Sequence, residues 1–309
     1  MLSALTRLGI VLAAVLVNAV VAAHSALAAE VEPGRFYVIG TGPAGPPLCT
    51  LQALERMKAV DAIVAPGELV ELFDGYVEGK PVLFDPLPGL WDYQGIWWEE
   101  LEPEVMGTFE SERERAIVER VAEVRGWLQQ GKDVGMLDIG NPSLYGPAHF
   151  YLERMTADEV VVLPGMGSDA AAMAVLGKSA LPAFDSRFLI QSAPFSLFTG
   201  RQAEDRQVLD HVAQYPSTMI LYMALQDPVA LFEALGEVLP AEIPCAVVFW
   251  AGHPEKERVM RGTVGDMGPR LAADPERLMG LLFIGRFLEG KPYAAGVEQA
   301  TQPRRVDAQ

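Results

Sequence analysis

FYVIGTGPAGPPLCT, residues 36–50, is the stretch that decides the fold of this chain. It begins with apolar residues of strand type, continues into a turn rich in glycine and proline, and leads into a helical pattern that starts at Thr50. A strand that ends in a glycine turn and continues into a helix brings the backbone close to a ligand at the carboxyl end of a parallel strand. The stretch therefore predicts an α/β fold with a ligand site beside this turn.

The glycine spacing of this turn matches a dinucleotide-binding loop, but its context does not. Gly40, Gly42 and Gly45 fit the pattern G-x-G-x-x-G. Pro46 and Pro47 stand where the N–H groups of a helix would bind a pyrophosphate, and proline has no N–H group. No acidic residue ends the second predicted strand either. The pattern therefore argues against nicotinamide or flavin binding.

Predicted strands and helices alternate along the rest of the chain. Strand patterns cover 36–39, 62–65, 134–139, 160–163, 218–224, 245–251, 259–264 and 281–287, and helical patterns cover 48–60, 148–155, 168–176 and 228–238. Ser111 and Glu114 have the spacing of a capping box, which predicts a charged helix from Ser111 to about Gln130. This alternation predicts an α/β fold with mostly parallel sheets.

A stretch with little periodicity, 183–214, predicts a domain boundary. We expect an N-terminal α/β domain over 30–185 and a C-terminal α/β domain over 186–309, with a frayed tail after Lys291. The segment 68–107 is rich in proline and tryptophan and predicts a loop-rich excursion with one short helix.

The charge balance limits the partners of this chain. Its 309 residues carry 41 acidic against 24 basic side chains, a net charge of −17, with no run of lysine and arginine. Binding of nucleic acid or of an anionic membrane surface needs clustered cations, so we expect neither partner. Cys49 and Cys245 are too few for a disulfide framework or a metal site, and we predict no metal.

The amino terminus has the pattern of a secretory signal peptide over residues 1–29. Arg7 is its one charged residue, an apolar run covers 10–23, and small residues lead to a cleavage site near Ala28 and Ala29. This predicts an exported, periplasmic protein with no stable membrane contact after cleavage. The alternative is an uncleaved segment that anchors the chain in a membrane.

Five blocks in order resemble the tetrapyrrole (corrin/porphyrin) methylases, a class of S-adenosyl-L-methionine-dependent methyltransferases. The first block is GTGPAGP at 40–46 with TLQAL at 50–54, which resembles the opening loop of that family. The others are GNPSLYG at 140–146, PGMGS at 164–168, TMILYM at 218–223, and PCAVV with ERVMRGT within 244–263. The resemblance covers about 35–287, and the order of the blocks makes it specific.

This resemblance implies two α/β domains with the cofactor, S-adenosyl-L-methionine, in the cleft between them, and a homodimer. By resemblance, Pro43 borders the cleft and Met223 packs on the adenine region. The remaining expected cofactor contacts are Ile139, Gly140, Asn141, Leu144, Gly167, Ser168, Ala251 and Gly252. Glycine and other small residues suit this role because they let a sulfonium ligand approach the backbone closely.

The chain departs from the family pattern in its first two loops. Gly45 replaces an aspartate of the first loop, and Ala44 replaces the glycine before it. Asn141 replaces the aspartate of the second loop. These changes remove negative charge from the expected cleft and affect its usual substrate geometry.

Catalytic candidates are those near the matched loops, and no convincing base stands out among them. Asp169 is interpreted as an ordinary acid in the first turn of a helix, and His149 as a packed or surface histidine. Asp138 lies at the end of a predicted strand. Tyr145 and Arg187 are retained as candidates, and Arg187 either binds a substrate carboxylate or is a simple surface residue.

A tryptophan-rich segment, 90–100, has no counterpart in the family pattern. Its aromatic residues predict a small additional core under a long loop. The alternatives are stacking on a flat substrate at the mouth of the cleft and a contact between subunits. The residues concerned are Trp91, Tyr93, Trp97 and Trp98.

Two function hypotheses of different classes follow. The first is a methyltransferase that uses S-adenosyl-L-methionine and acts on a tetrapyrrole-like or other small acceptor. The second is an exported, catalytically impaired binding protein on the same fold. It is motivated by the predicted export and by the missing loop carboxylates. A third, an RNA-modifying relative, is disfavoured by the negative charge.

Overall fold

The computed structural model describes residues 32–181, 186–198, 202–276 and 278–290. The predicted signal peptide and the predicted frayed tail lie outside these residues. The described chain forms two main sheets, one from residues 36–163 and one from residues 188–284. The domain boundary predicted near residue 185 stays a prediction.

The first sheet is fully parallel. Its strands are β1 (Phe36–Gly40), β2 (Ala62–Val64), β5 (Val134–Asp138) and β6 (Val160–Leu163), in the order β2-β5-β1-β6. A separate hairpin contains β3 (Asp92–Tyr93) and β4 (Ile96–Trp97). The helices of this half are α1 (Leu51–Ala59), α2 (Gly67–Leu72), α3 (Asp74–Val77), α4 (Pro103–Leu128) and α5 (Ala148–Leu152). Short 3-10 turns cover Pro46–Leu48 and Trp98–Glu100.

Alternation along β1 builds two separate cores on the two faces of this sheet. Phe36 and Val38 face a cluster that includes Ile117 and Val121 of α4. Tyr37 and Ile39 face the opposite cluster, with helices α1 to α3. Successive residues of a strand point to opposite faces, so a strand buried on both sides reads as a continuous apolar run.

The second sheet is mixed, so the expectation of mostly parallel sheets is wrong for it. Its strands are β7 (Phe188–Ser192), β8 (Ser217–Leu221), β9 (Pro244–Phe249), β10 (Arg258–Thr263) and β11 (Gly280–Ile284), in the order β10-β9-β11-β8-β7. Only the β7–β8 pair is parallel. A loop of eight residues joins β9 to β10, which is too short for the crossover that a parallel neighbour requires.

Helices cover both faces of the second sheet. They are α6 (Ser168–Leu176), α7 (Pro194–Leu197), α8 (Gln202–Ala213), α9 (Pro228–Gly236) and α10 (Val264–Ala272), and a 3-10 turn, Arg286–Leu288, follows β11. One face packs against α9 and α10. The other packs against α6, through Ala172 and Leu176. Helix α6 follows β6 of the first sheet, so it connects the two sheets physically as well as in sequence.

Helix α4 begins at Pro103, and the predicted start at Ser111 is wrong. Ser111 lies inside the helix, where its hydroxyl donates to the carbonyl of Gly107 at 2.8 Å. Proline is favoured in the first turn because its missing N–H group would have no helical partner there. The buried Phe109, before the predicted start, shows that the apolar face already exists upstream.

Local signals also explain smaller differences. Helix α1 begins after Thr50, whose hydroxyl accepts from the N–H of Ala53 at 3.1 Å. This start is three residues later than predicted, because Pro46–Leu48 forms a 3-10 turn before the helix. Leu51, the first residue of this helix, is 79% exposed. The region 183–214, in which the sequence has little periodicity, contains β7, α7 and α8. The segment 68–107 was predicted to hold one short helix and includes two, α2 and α3. Helix α10 was not predicted.

The tryptophan-rich segment packs against the first core, as the interpretation of a small additional core requires. Leu90 is buried, and the ring of Trp91 lies 5.9 Å from that of Phe150. The ring of Tyr93 lies 6.1 Å from that of Phe109.

Cys49 and Cys245 are both free thiols. None of the helices within the described residues has both the length and the apolarity needed to cross a bilayer.

Gly165 should tolerate no side chain. A Cβ atom there would overlap the carbonyl oxygen of Gly140 and lie 2.7 Å from the carbonyl carbon of Gly40. We expect Gly165→Ala to lower the free energy of unfolding by about 1–3 kcal/mol, measured by urea denaturation. Gly236→Ala is the matched control, because a Cβ in that helix meets no atom within 4 Å. Equal effects of the two substitutions would contradict this packing argument.

Candidate functional site

A cavity of about 310 Å³ lies between the two halves of the chain, beside the carboxyl ends of β1, β5 and β8. The first half contributes Pro43, the turn after β5 and the turn before α6. The second half contributes the residues after β8 and β9 and the segment entering β11. Both sheets are therefore needed to form it.

The structure brings most of the sequence-predicted contact residues to this cavity. Those that line it are Pro43, Ile139, Gly140, Asn141, Leu144, Gly167, Ser168, Met223 and Ala251. Gly252 is outside the lining, and a Cβ at Gly252 would overlap the side chain of Leu48. That these residues contact a cofactor stays a prediction.

The two catalytic candidates, Tyr145 and Arg187, lie in different parts of the structure. Tyr145 lines the cavity. Arg187 is exposed and does not line the cavity; its guanidinium lies 5.9 Å from the centre of the Tyr215 ring. The geometry therefore supports Tyr145 as a site residue and agrees with the interpretation of Arg187 as a surface residue. Trp91, Tyr93, Trp97 and Trp98 are not among the lining residues either.

Three backbone segments meet in direct contact at the base of the cavity. Gly140 and Gly42 exchange two hydrogen bonds, of 3.0 and 3.4 Å, which tie the second loop to the first. A Cβ at Gly40 would overlap the backbone nitrogen of Gly165. Contact between backbones thus explains the glycines at positions 40, 42 and 165.

Strained residues line the cavity. Tyr145, Met223 and Trp250 have φ values of 60°, 56° and 52°, in the left-handed region that side chains disfavour. Among the described residues, Gln94 is the other non-glycine residue of this kind. Such strain costs about 1–3 kcal/mol per residue and concentrates at functional sites. The strain marks this cavity as a functional site independently of the sequence blocks.

A loop of the second half closes onto the first loop. The Nε2 atom of His253 lies 3.2 Å from the carbonyl oxygen of Pro43. A Cβ at Gly252 would also lie 3.0 Å from the Cβ of Ala44. The first loop, which departs from the family at Ala44 and Gly45, is therefore held by contacts from the other half.

Asp138 is a buried carboxylate in the cavity wall. It ends β5, is 1% exposed and lies under Gly146, where a Cβ would come within 2.5 Å of its Oδ2 atom. Burial raises the pKa of Asp138 from 3.8 to about 7, against a smaller opposing effect of the Ala148 N–H group, which donates to Oδ2 at 3.4 Å. The sequence shows only an acidic residue near the end of a predicted strand. The raised pKa of this residue follows from its burial in the structure.

Tyr222 presents a hydroxyl without a hydrogen-bond partner. Among the described residues it is the one buried side-chain polar atom that has none. Burial raises the pKa of Tyr222 well above its usual range, and the nearby carboxylate of Asp169 adds to the shift without reaching hydrogen-bond geometry. The Tyr222 ring lines the cavity 5.1 Å from the ring of Tyr145. The site thus offers a protonated phenol as a hydrogen-bond donor.

The cavity wall is poor in charge. Asp138 and His253 are its titratable residues apart from the two tyrosines, and neither lysine nor arginine is among the described lining residues. Within the described residues, no group of three or more His, Cys, Asp or Glu side chains could hold a metal ion.

Asp138 should make stability depend on pH. A carboxylate whose pKa is raised on folding weakens the folded state as pH rises from about 4 to about 7, by at most about 4 kcal/mol. We expect Asp138→Asn to be nearly neutral near pH 4 and stabilising at pH 8, because the amide can still accept from Ala148. Urea denaturation across this range tests it. A difference between the two proteins that does not change with pH would rule it out.

Tyr222→Phe should stabilise the ligand-free protein. Removing a buried hydroxyl that has no partner should raise the free energy of unfolding by about 1 kcal/mol. Tyr151→Phe is the matched control, since the Tyr151 hydroxyl donates to the Pro86 carbonyl at 2.8 Å. That control should lose about 1 kcal/mol in thermal or urea unfolding. If both variants are destabilised alike, Tyr222 has a partner.

Comparisons with known proteins agree with this site. The curated precorrin-4 C(11)-methyltransferase of Pseudomonas aeruginosa is 26% identical over 264 residues, covering 84% of this chain and 92% of that protein. The uroporphyrinogen-III C-methyltransferase of Synechococcus elongatus is 24% identical over 245 residues, covering 78% and 89%.

Solved structures share the fold. A cobalt precorrin-4 methyltransferase superposes with a TM-score of 0.59 at 20% identity, covering 83% of this chain and 96% of that one. A uroporphyrin-III C-methyl transferase from Thermus thermophilus, complexed with S-adenosyl homocysteine, has a TM-score of 0.57 at 19% identity, covering 83% and 99%. The expected fold of two α/β domains is confirmed.

A family model decides the assignment. The model of the Tetrapyrrole (Corrin/Porphyrin) Methylases matches residues 35–268, which contain all five sequence blocks. The match and the named relatives confirm the expectation of a methyltransferase. The chain belongs to the tetrapyrrole (corrin/porphyrin) methylase family.

Proposed function

We propose that this methyltransferase binds S-adenosyl-L-methionine in the cavity between its halves and methylates a tetrapyrrole. The observation that carries the proposal is the meeting of the family's loops around one cavity. Residues from all five blocks, separated by up to about 200 positions in the sequence, line the same space. The structure of the Thermus thermophilus enzyme with S-adenosyl homocysteine supports the choice of cofactor.

The residues present fit such a cofactor. A volume of about 310 Å³ falls within the range of small-molecule sites, about 300–1,000 Å³. Gly140 has a φ of 76°, and a Cβ there would find its nearest atom 3.9 Å away, so the missing side chain leaves space beside the backbone. Ser168, Asn141 and the Tyr222 hydroxyl supply polar groups along a wall that is otherwise largely apolar.

The bound cofactor would supply a methyl group activated by a sulfonium. The chain would align this group with the acceptor and exclude water, and correct alignment accounts for much of the rate in such transfers. Gly140, Asn141 and Leu144 would hold the cofactor on the first half, and Met223 and Ala251 on the second. The contact of His253 with Pro43 holds the two halves together beside the site.

The acceptor is inferred from the relatives, whose names include precorrin-4 and uroporphyrinogen-III methylation. Since no described lysine or arginine lines the cavity, acidic substituents of a tetrapyrrole would stay outside this wall. The methylated carbon would enter a site of low charge. The alternative of an exported, catalytically impaired binding protein has no support from the fold or the relatives.

Export and dimerisation belong to this proposal. Export to the periplasm, or anchoring in a membrane, rests on the pattern of residues 1–29. A homodimer rests on the family resemblance. Fractionation of cells tests export, and a full-length chain in the cytoplasm would contradict it. Size-exclusion chromatography of the mature chain tests dimerisation, and a monomer would contradict it.

Calorimetry and methyl transfer test the function. We expect S-adenosyl-L-methionine and S-adenosylhomocysteine to bind with a Kd in the range of about 1 μM to 1 mM. Labelled methyl groups should pass to uroporphyrinogen III or to cobalt-precorrin-4. Binding of neither cofactor form would refute the proposal, and binding without transfer to either acceptor would refute the tetrapyrrole assignment.

A variant with a larger side chain in the cavity wall tests where the cofactor binds. Ala251→Phe places a large ring against the cavity wall and should abolish cofactor binding while circular dichroism shows a folded chain. Ala59→Phe makes the same change on an exposed helix position and should bind normally. Normal binding by both variants would place the cofactor elsewhere.

A further inference from the structure

Asp138 belongs to the wall of the cavity, with its carboxylate beneath Gly146. It ends a central strand, its side chain is almost fully buried, and it lines the cavity together with Ile139 and Gly140. Among the described lining residues it is the one carboxylate, and no lysine or arginine accompanies it. A charge in an apolar wall costs free energy unless an opposite charge binds beside it.

The surroundings of the cavity add negative charge. The carboxylate of Glu276 accepts from the indole N–H of the lining residue Trp250 at 2.7 Å, and that of Glu257 accepts from Gly252 N at 2.8 Å. Asp169 lies beside Tyr222. Asp138 and these carboxylates therefore place negative charge in and around the cavity wall.

We propose that Asp138 is the counter-charge for the sulfonium of S-adenosyl-L-methionine, so that the protein distinguishes this cation from its neutral thioether product. The inference rests on the proposed function, because it requires the cofactor to occupy this cavity. Its consequence is selective release, since the spent cofactor loses the attraction that held the methylated one.

The proton on Asp138 links this selection to pH. Burial raises the pKa of Asp138 to about 7, so this carboxyl group titrates near neutral pH. A cation favours the ionised form, and its binding therefore releases a proton. Affinity for the sulfonium form should rise with pH through this range, whereas affinity for the neutral thioether should not.

Other titratable groups lie on the elements that form the cavity and its surroundings, and two of them are histidines. They are Asp85, Tyr145, His149, Tyr151, Tyr222 and His253. Asp138→Asn separates its contribution from theirs. The amide keeps the shape of the side chain and can accept from Ala148 N, so the start of α5 keeps its contact.

The test is calorimetry with the full mature chain, using S-adenosyl-L-methionine and S-adenosylhomocysteine as probes, between about pH 6 and about pH 8. For the wild type, the Kd of S-adenosyl-L-methionine should fall about tenfold with rising pH, and that of S-adenosylhomocysteine should change by less than about twofold. The α-amino and carboxylate groups are common to both probes, so the second probe controls for them.

Asp138→Asn should bind S-adenosyl-L-methionine about tenfold more weakly at pH 8, with little pH dependence, and should bind S-adenosylhomocysteine as the wild type does. Asp169→Asn, which removes a carboxylate outside the cavity wall, should keep the pH dependence. An unchanged affinity ratio and pH profile in Asp138→Asn would overturn the inference while leaving the proposed function intact. Failure of the wild type to bind either probe would instead refute the proposed function.

Discussion

Contact between backbones at the carboxyl ends of β1, β5 and β6 is the constraint on which this structure depends. Gly40, Gly140 and Gly165 approach so closely that a Cβ at Gly40 or Gly165 would overlap a neighbouring backbone. This contact holds the first three loops together and directs them around one space. Because the loops share it, a side chain at Gly40 or Gly165 would disturb the contact between them, and the cavity with it.

The second half completes the site at a cost in backbone strain. Met223 and Trp250 adopt left-handed conformations directly after β8 and β9, and both line the cavity. Packing of α6 on the second sheet and the contact of His253 with Pro43 hold the halves against each other. A strained residue persists only when its surroundings determine its conformation. The site is therefore a property of the assembled chain and of neither half by itself.

The first two loops carry Gly45 and Asn141 where the sequence resemblance leads us to expect aspartates. Gly45 and Asn141 leave the first two loops uncharged, yet Asp138 supplies a carboxylate from the strand beneath the second loop. Gly146 is the residue that permits this arrangement, since a side chain there would contact the Asp138 carboxylate. The negative charge thus lies deeper in the wall, where burial makes it more sensitive to the charge of a ligand.

The sequence by itself determined the α/β class, the family, the order of the five loops and part of the cavity lining, because glycine turns and apolar runs are local signals. Helix α6 was predicted with its observed bounds for the same reason. Ser111 misled because its capping pattern also fits a helix interior. Only the tertiary structure decided the mixed second sheet, the distance of Arg187 from the cavity, and the importance of Asp138 and Tyr222. These features depend on burial and on contacts between residues far apart in the chain, which no local pattern records.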